Sequence, residues 1–429
     1  MSARLVRAAR RVPQPWFVLA VALGVRLAYV SVEHSVPPQD TPDYDEIALN
    51  LLRGEGFVAR GAWHGHELHS WRPPFYPCFL ALVYGSLGYS HGAVRVVQAC
   101  VGAGTALLVW DLGRRLMPAA ALTAGLLAAL YGPLVSSSYE VMSETWFTFL
   151  GVLSLSRLAR ATRGQDPGRD RLLLGGCAVG LAALTRPVGL LLLPAFALPA
   201  VLAGGRQGIR RTAWVAVGLA CVMAPWTLRN WRVHGAIVPL TTQGGFIVAR
   251  ANAAVPDWRV PDGWGIAREV FERVPCEVER DRLWMRQGLQ YIGSHPGHYL
   301  RLAGERFLRF WYFLRPDYNA WFVAVLPFFL GGLWLYGRQD GFVLLGAYTG
   351  ISVLVFAFVL YGSTRFRLPL EPLFLLFAAA GAHGAAARWG GRKVLAIAAA
   401  VALANGALAW QEEALRQAVL RLLAAWGLK

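Results

Sequence analysis

Asp40 and Tyr44 stand four residues apart in the segment DTPDYDEIALNLL. On a short helix that spacing puts both on one face, with Ala48 and Leu51/Leu52 continuing an apolar face beneath them. A carboxylate held at a low-dielectric boundary gains proton affinity and can take a proton from a hydroxyl. The plainer reading makes Asp40, Asp43, Asp45 and Glu46 a solvated acidic helix start that complements the helix dipole. Glu140 and Glu144 bracket the junction of two apolar runs, where an acid is costly unless it faces protein or water. Ser143 and Glu144 also suit the cap of the following helix, and both roles can hold at once. Arg72 precedes Pro73-Pro74, and Arg365 and Arg367 precede Pro369, so prolines of fixed φ present all three cations. Arginine forks bind phosphate through paired nitrogens; the alternative is an anchor to lipid headgroups. Arg186, in Thr185-Arg186-Pro187, either lines a cavity or is another such anchor. His64, His66 and His69 with Glu67 have the density of a metal site, although a merely polar loop would look the same.

These groups need a scaffold, and composition says which kind. The 429 residues are 56% hydrophobic and 16% charged, against roughly a quarter charged in soluble domains. Runs of about 17 or more apolar residues recur, each able to cross about 30 Å of hydrocarbon. A polytopic all-α membrane protein follows. The net charge of +17 does not point to nucleic acid, because the arginines sit at the ends of apolar runs and form no stripe on a soluble face. The five cysteines show no paired spacing, so neither a disulfide framework nor a zinc ribbon is expected. Arg4, Arg7, Arg10 and Arg11 before Trp16 resemble a signal peptide, but no small-residue cleavage site follows Ser31, and a retained first helix is expected.

The expected spans are 16–32, 94–112, 119–135, 141–158, 172–184, 188–202, 212–228, 320–336, 342–360, 368–387 and 394–410. That is about eleven, or twelve to thirteen if shorter apolar stretches also cross. The apolar stretch Pro73–Tyr89 is read as interfacial, because only then do the short basic loops (Arg114/Arg115, Arg157 to Arg171, Arg206/Arg210/Arg211, Arg338, Arg388/Arg392/Lys393) all fall on the cytoplasmic side. Residues 33–92 then form a large first outer loop with juxtamembrane helices, and 230–318 a second, helical near Glu279 to Gly293. The Asp40 segment, the Ser136–Glu144 turn, the Thr185-Arg186-Pro187 break, the second loop and the Ser363–Arg367 turn share the outer face. Residues 1–410 would be one transmembrane module. Within 411–429, Glu412 to Arg421 reads as an amphipathic surface helix.

With the residues so placed, the chain resembles a bacterial membrane glycosyltransferase of the GT-C superfold, similar to the protein O-mannosyltransferases and the lipid A aminoarabinose transferases. The likeness rests on ordered landmarks: Asp40-x-x-x-Tyr44-x-x-x-Ala48, Arg72-Pro73-Pro74-x-Tyr76-Pro77, Val94-Arg95, Gly113-Arg114-Arg115, Ser143-Glu144, Leu184-Thr185-Arg186-Pro187, Ala224-Pro225-Trp226-Thr227-x-Arg229-Asn230 and Arg365-Phe366-Arg367-x-Pro369. The resemblance implies a GT-C-like bundle in the bacterial cytoplasmic membrane with its active face extracytoplasmic. It implies a polyprenyl-phosphate sugar donor and a lipid, glycan or protein acceptor, with Asp40 as general base and inversion at C1. It gives Glu144 a supporting catalytic role at the start of the fourth span, and puts Tyr44, Arg72, Arg186, Arg365 and Arg367 in substrate binding. One position departs: the aminoarabinose transferases carry a metal-binding glutamate just before the basic residue, and here Trp71 stands there. No cofactor is required by this reading, and a divalent metal would have to come from the nearby histidines.

A flippase of lipid-linked glycans would also use apolar spans and arginine-lined cavities. It needs a continuous path across the bilayer and has no need of a carboxylate at one mouth. The sequence also shows no internal repeat of the spans, the mark of many transporters.

Overall fold

The structure, a computed structural model, describes residues 13–33, 41–60, 66–159, 167–253, 267–311, 316–339, 341–362 and 364–411, and single positions from there to 421. Its helices of eight residues or more are α1 (Gln14–Val32), α2 (Thr41–Leu52), α3 (Phe75–Leu87), α4 (His91–Leu116), α5 (Ala121–Leu130), α6 (Glu144–Leu158), α7 (Arg169–Thr185) and α8 (Leu192–His234). Then come α9 (Gly244–Ala251), α10 (Glu277–Ser294), α11 (Pro296–Phe310), α12 (Pro316–Tyr336), α13 (Phe342–Phe358), α14 (Glu371–Trp389) and α15 (Gly391–Trp410). Pairing of extended chain among the described residues is confined to one isolated bridge, Ala59 to Leu68. The surface helix expected over Glu412 to Arg421 lies largely outside the described residues.

By length and composition, Gln14–Val32, His91–Leu116, Pro187–His234 and Thr364–Trp389 can each cross a membrane, and shorter apolar helices include Phe75–Leu87, Pro118–Leu130, Trp321–Tyr336 and Phe342–Phe358. The chain is a multi-pass membrane protein. The long stretch ending at His234 is not one rod: Gly205 sits at φ 48°, ψ −125° and breaks α8 into two limbs, a backbone state that a Cβ would resist. Two separate apolar runs, 188–202 and 212–228, are expected there. At 13 residues and 1.5 Å of rise each, α3 is about 20 Å long. It packs on α2 through Tyr44, Ala48, Tyr76, Phe79 and Leu80.

Within the bundle, α7 packs on α8, α12 on α14, and α4 on α1, α5 and α6. Small residues set the closest approach. A Cβ on Gly332 of α12 would fall 1.8 Å from the Phe377 carbonyl oxygen of α14, and one on Gly381 would fall 2.1 Å from that of Phe328. Such contacts hold helices together where lipid offers no hydrophobic drive.

Over the bundle lies a second layer formed by α2, α9 and α10, cored by Ile47, Phe57, Trp71, Phe246 and Trp284. The expected helix in the second loop is α10. The sequence reading passed over α9 and α11, whose amphipathic patterns are short or interrupted by charge.

Candidate active site

Glu144 opens α6 and is 1% exposed. The turn before it is fixed from several sides, because a helix break inside a bundle leaves carbonyls that need donors. Arg26 of α1 is buried and donates to the carbonyls of Ala128, Ala129 and Leu134 at 3.2, 3.0 and 3.3 Å, closing the end of α5. Arg95 donates from Nε to the Tyr139 carbonyl at 3.1 Å and lies over that ring. Gln98 donates to the carbonyls of Ser138 (3.1 Å) and Glu140 (2.7 Å), and the Tyr76 hydroxyl donates to Gln98 Oε1 at 2.7 Å. Thr41, the first residue of α2, donates to the Val141 carbonyl at 3.1 Å. The backbone that presents Glu144 is thus determined by α1, α2, α3 and α4 together.

A buried carboxylate costs several kcal/mol unless it is paired. Glu144 Oε1 receives Arg186 Nη1 at 2.6 Å and Arg365 Nε at 2.5 Å. Arg186 reaches it because α7 ends at Thr185 and the chain turns extended (φ −148°, ψ 130°) before Pro187. Arg365 comes from the 3₁₀ turn Thr364–Leu370. Taken by themselves, these three side chains carry one excess positive charge. Burial pushes the nearby Glu140 carboxyl above its ordinary range; Glu144 adds to this and Arg365 opposes it.

Asp43 and Arg72 form a second pair. Arg72 donates from Nε (3.0 Å) and Nη2 (2.6 Å) to Asp43 Oδ2, with both residues buried. The guanidinium lies 5.2 Å from the centre of the Tyr44 ring. Glu277 of α10 clamps the strand leading to Arg72: it accepts from the N–H of His69 (2.9 Å) and Ser70 (3.1 Å) and from the Thr242 hydroxyl (2.6 Å). Arg229, near the end of α8, donates to the His69 carbonyl at 2.6 Å and the Phe57 carbonyl at 2.9 Å.

Tyr44, Arg72, Arg186 and Arg365 line one cavity of about 210 Å³, together with Gln243 and Tyr361 among others. Four site residues expected from sequence therefore meet, with Glu144 bound to two of them. A lining that mixes these cations with apolar side chains such as Val188 and Phe366 suits an anionic group attached to something greasy.

Asp40 lies outside the described residues, as does His64. Arg367, expected beside Arg365 in substrate binding, is not among the residues that line the cavity. It is fully buried, donates to Glu371 Oε1 at 2.9 Å and to the Phe310 carbonyl at 3.3 Å, and lies over the Phe322 ring. His66 packs near Phe271, and His69 sits 3.7 Å from Glu67. Trp71, at the position where the family resemblance would place a metal ligand, is 2% exposed and packs edge-on against Phe246 at 5.1 Å, turned into the second-layer core. Among the described residues no group of three or more His, Cys, Asp or Glu side chains could hold a metal ion, so these residues do not make the donor set a divalent cation needs. The sequence reading missed Asp43 and Glu277. Asp43 directly precedes Tyr44, and its acidic neighbours made it look solvated. For Glu277 the sequence offers no signal.

Residues 71–228 match the profile of the dolichyl-phosphate-mannose-protein mannosyltransferase family. No curated protein sequence matches the chain. Solved structures with the same architecture include ArnT from Cupriavidus metallidurans bound to undecaprenyl phosphate, at 17% identity and TM-score 0.58, covering 96% of this chain and 72% of that one. An Archaeoglobus fulgidus oligosaccharyltransferase in complex with zinc and sulfate matches at 15% identity and TM-score 0.59, covering 92% of this chain and 52% of the other. The oligosaccharyltransferase AglB of the same organism, in complex with an inhibitory peptide and a dolichol-phosphate, matches at 14% identity and TM-score 0.57, over 93% and 54%. The chain spans about half the length of the oligosaccharyltransferases. It has the GT-C fold of membrane glycosyltransferases.

Proposed function

We propose that this chain transfers a sugar from a polyprenyl-phosphate donor to an acceptor hydroxyl on a lipid, glycan or protein, at the extracytoplasmic face of a bacterial cytoplasmic membrane. The observation that carries the reading is the single cavity into which Tyr44, Arg72, Arg186 and Arg365 come from four distant segments, with Glu144 tying two of them together. The family profile over residues 71–228 and the lipid phosphate bound by ArnT support it.

In this reading Asp40 takes the proton from the acceptor hydroxyl as that oxygen attacks the sugar C1. The bond from C1 to the phosphate oxygen breaks, C1 inverts, and the polyprenyl phosphate leaves with the bonding pair. Arg365 and Arg186 receive the growing charge, with Arg72 beside them. Fixed cations in a partly dry cavity stabilise such charge far better than water does. Glu144 and Asp43 are positioning residues that hold the guanidinia in place before the donor arrives. A flippase of lipid-linked glycans is the competing reading, and product formation separates the two.

The test is transfer from a synthetic polyprenyl-phosphate sugar in proteoliposomes, read by mass spectrometry of donor and acceptor. Asp40→Asn is expected to abolish turnover while leaving donor binding intact. Turnover at the wild-type rate would remove Asp40 from the base role, and movement of intact donor between leaflets without bond cleavage would favour the flippase.

A further inference from the structure

Arg186 and Arg169 stand at opposite ends of α7, about 25 Å apart at 1.5 Å per residue. The first ends at the candidate active site, so the second lies near the other membrane face. There a separate cavity of about 80 Å³ is lined by Arg169, Leu172, Gln207, Arg210, Arg211 and Trp214. Arg169 lies 4.1 Å from the centre of the Trp214 ring. Arg211 is buried, whereas Arg169 and Arg210 are exposed. The break at Gly205 starts a second helical limb of α8, and Gln207 and Arg210 from its first two turns line the cavity with Arg169 and Leu172 from the first turn of α7. Helix starts favour anions through their dipoles and N–H groups. Among the described residues of these two helix starts, the acidic one is Asp170, also in the first turn of α7.

The setting is greasy as well as cationic. Leu202 (79% exposed) and Ile209 (58%) flank the lining residues on α8, and Leu174 is exposed on α7. The cavity is the smaller of the two described, and its size suits a phosphate group. The geometry points to a second, non-catalytic site that holds the phosphate of an anionic membrane lipid on the face opposite the transfer cavity. It is independent of the proposed sugar transfer, because the two sites share no residue.

Native mass spectrometry of the full chain, released from micelles doped with phosphatidylglycerol, tests this against parallel micelles doped with phosphatidylcholine. Wild type is expected to retain one phosphatidylglycerol in preference to phosphatidylcholine. A basic side chain near an anionic headgroup contributes about fivefold in affinity. Arg169→Gln with Arg210→Gln is therefore expected to weaken retention about 25-fold, and the exposed Arg388→Gln, on other structure, to leave it unchanged. Arg210→Gln alone, about fivefold weaker, keeps the test open if the double variant does not fold. Undiminished retention in both variants would overturn the proposal. So would an equal loss in Arg388→Gln, which marks a general basic surface, and so would displacement by inorganic phosphate at the lipid's own concentration, which marks a free-anion site.

Discussion

The Nε of Arg365 lies 2.5 Å from Oε1 of Glu144, across 221 residues of sequence. One end of that contact belongs to a carboxylate sealed in the bundle; the other belongs to a side chain that is 40% exposed and lines the cavity. The pair thus transmits the rigidity of the Ser136–Glu144 turn to a cation that a ligand can touch.

Stability and function should separate along this contact. Glu144→Ala leaves the Arg186 guanidinium (18% exposed) beside an emptied site, and breaking a buried pair costs about 3–5 kcal/mol. Arg365→Ala removes a half-buried cation and leaves Glu144 paired with Arg186, so it should cost less, about 1 kcal/mol, while slowing transfer about 100-fold if it receives leaving-group charge. Thermal unfolding in detergent and turnover, measured on the same preparations, give both numbers. Equal stability losses for the two variants would contradict the asymmetry.

Arg72 places two nitrogens on one oxygen of Asp43, and a lysine ammonium cannot reproduce that fork. Arg72→Lys is therefore expected to behave nearly as badly as Arg72→Ala in the dependence of rate on donor concentration. Asp43→Asn keeps one acceptor oxygen, so it should lower turnover less than either. Full rescue by lysine would make Arg72 a simple point charge.

How much of this is legible in sequence depends on the element. Apolar runs announce a multi-pass helical bundle, because the bilayer demands uninterrupted helices. Arg365 and Arg367 look alike on paper, two residues apart and both before a proline. In an extended chain they would share a face; in the 3₁₀ turn that forms, each residue advances about 120°, so Arg365 meets Glu144 while Arg367 meets Glu371. Local backbone type decided the outcome, and no periodicity announces a single 3₁₀ turn. Arg26 was invisible for another reason: its partners are carbonyls of α5 and the turn after it, which have no side-chain signature.

Asp281 of α10 accepts from the Gly245 N–H at 2.6 Å, and burial pushes its carboxyl above the ordinary range. The folded state then binds more protons than the unfolded state between the ordinary value and the raised one. Stability falls as pH rises through that window and stays reduced above it. Asp281→Asn keeps the acceptor oxygen and removes the charge. Its melting temperature is expected to exceed wild type at neutral pH, with the difference closing once the medium falls below the usual aspartate range. A variant that melts lower at neutral pH would show that the ionised carboxylate is needed at the α9–α10 contact.

The placement of every site residue depends on which side of the membrane the cavity opens. With α3 read as interfacial, so that the short basic loops share one side, the connection between α6 and α7 is expected to face the cytoplasm, and the segment after α9 the opposite side. Alkaline phosphatase fused after α9 should then be active and the same fusion between α6 and α7 inactive, with a green fluorescent protein reporter giving the reverse. If instead both phosphatase fusions show the opposite activities, α3 crosses after all. Glu144, Arg186 and Arg365 would then meet the cytoplasm, where the basic cluster of Arg169, Arg210 and Arg211 would no longer lie, and a donor presented from the outer leaflet could not reach them.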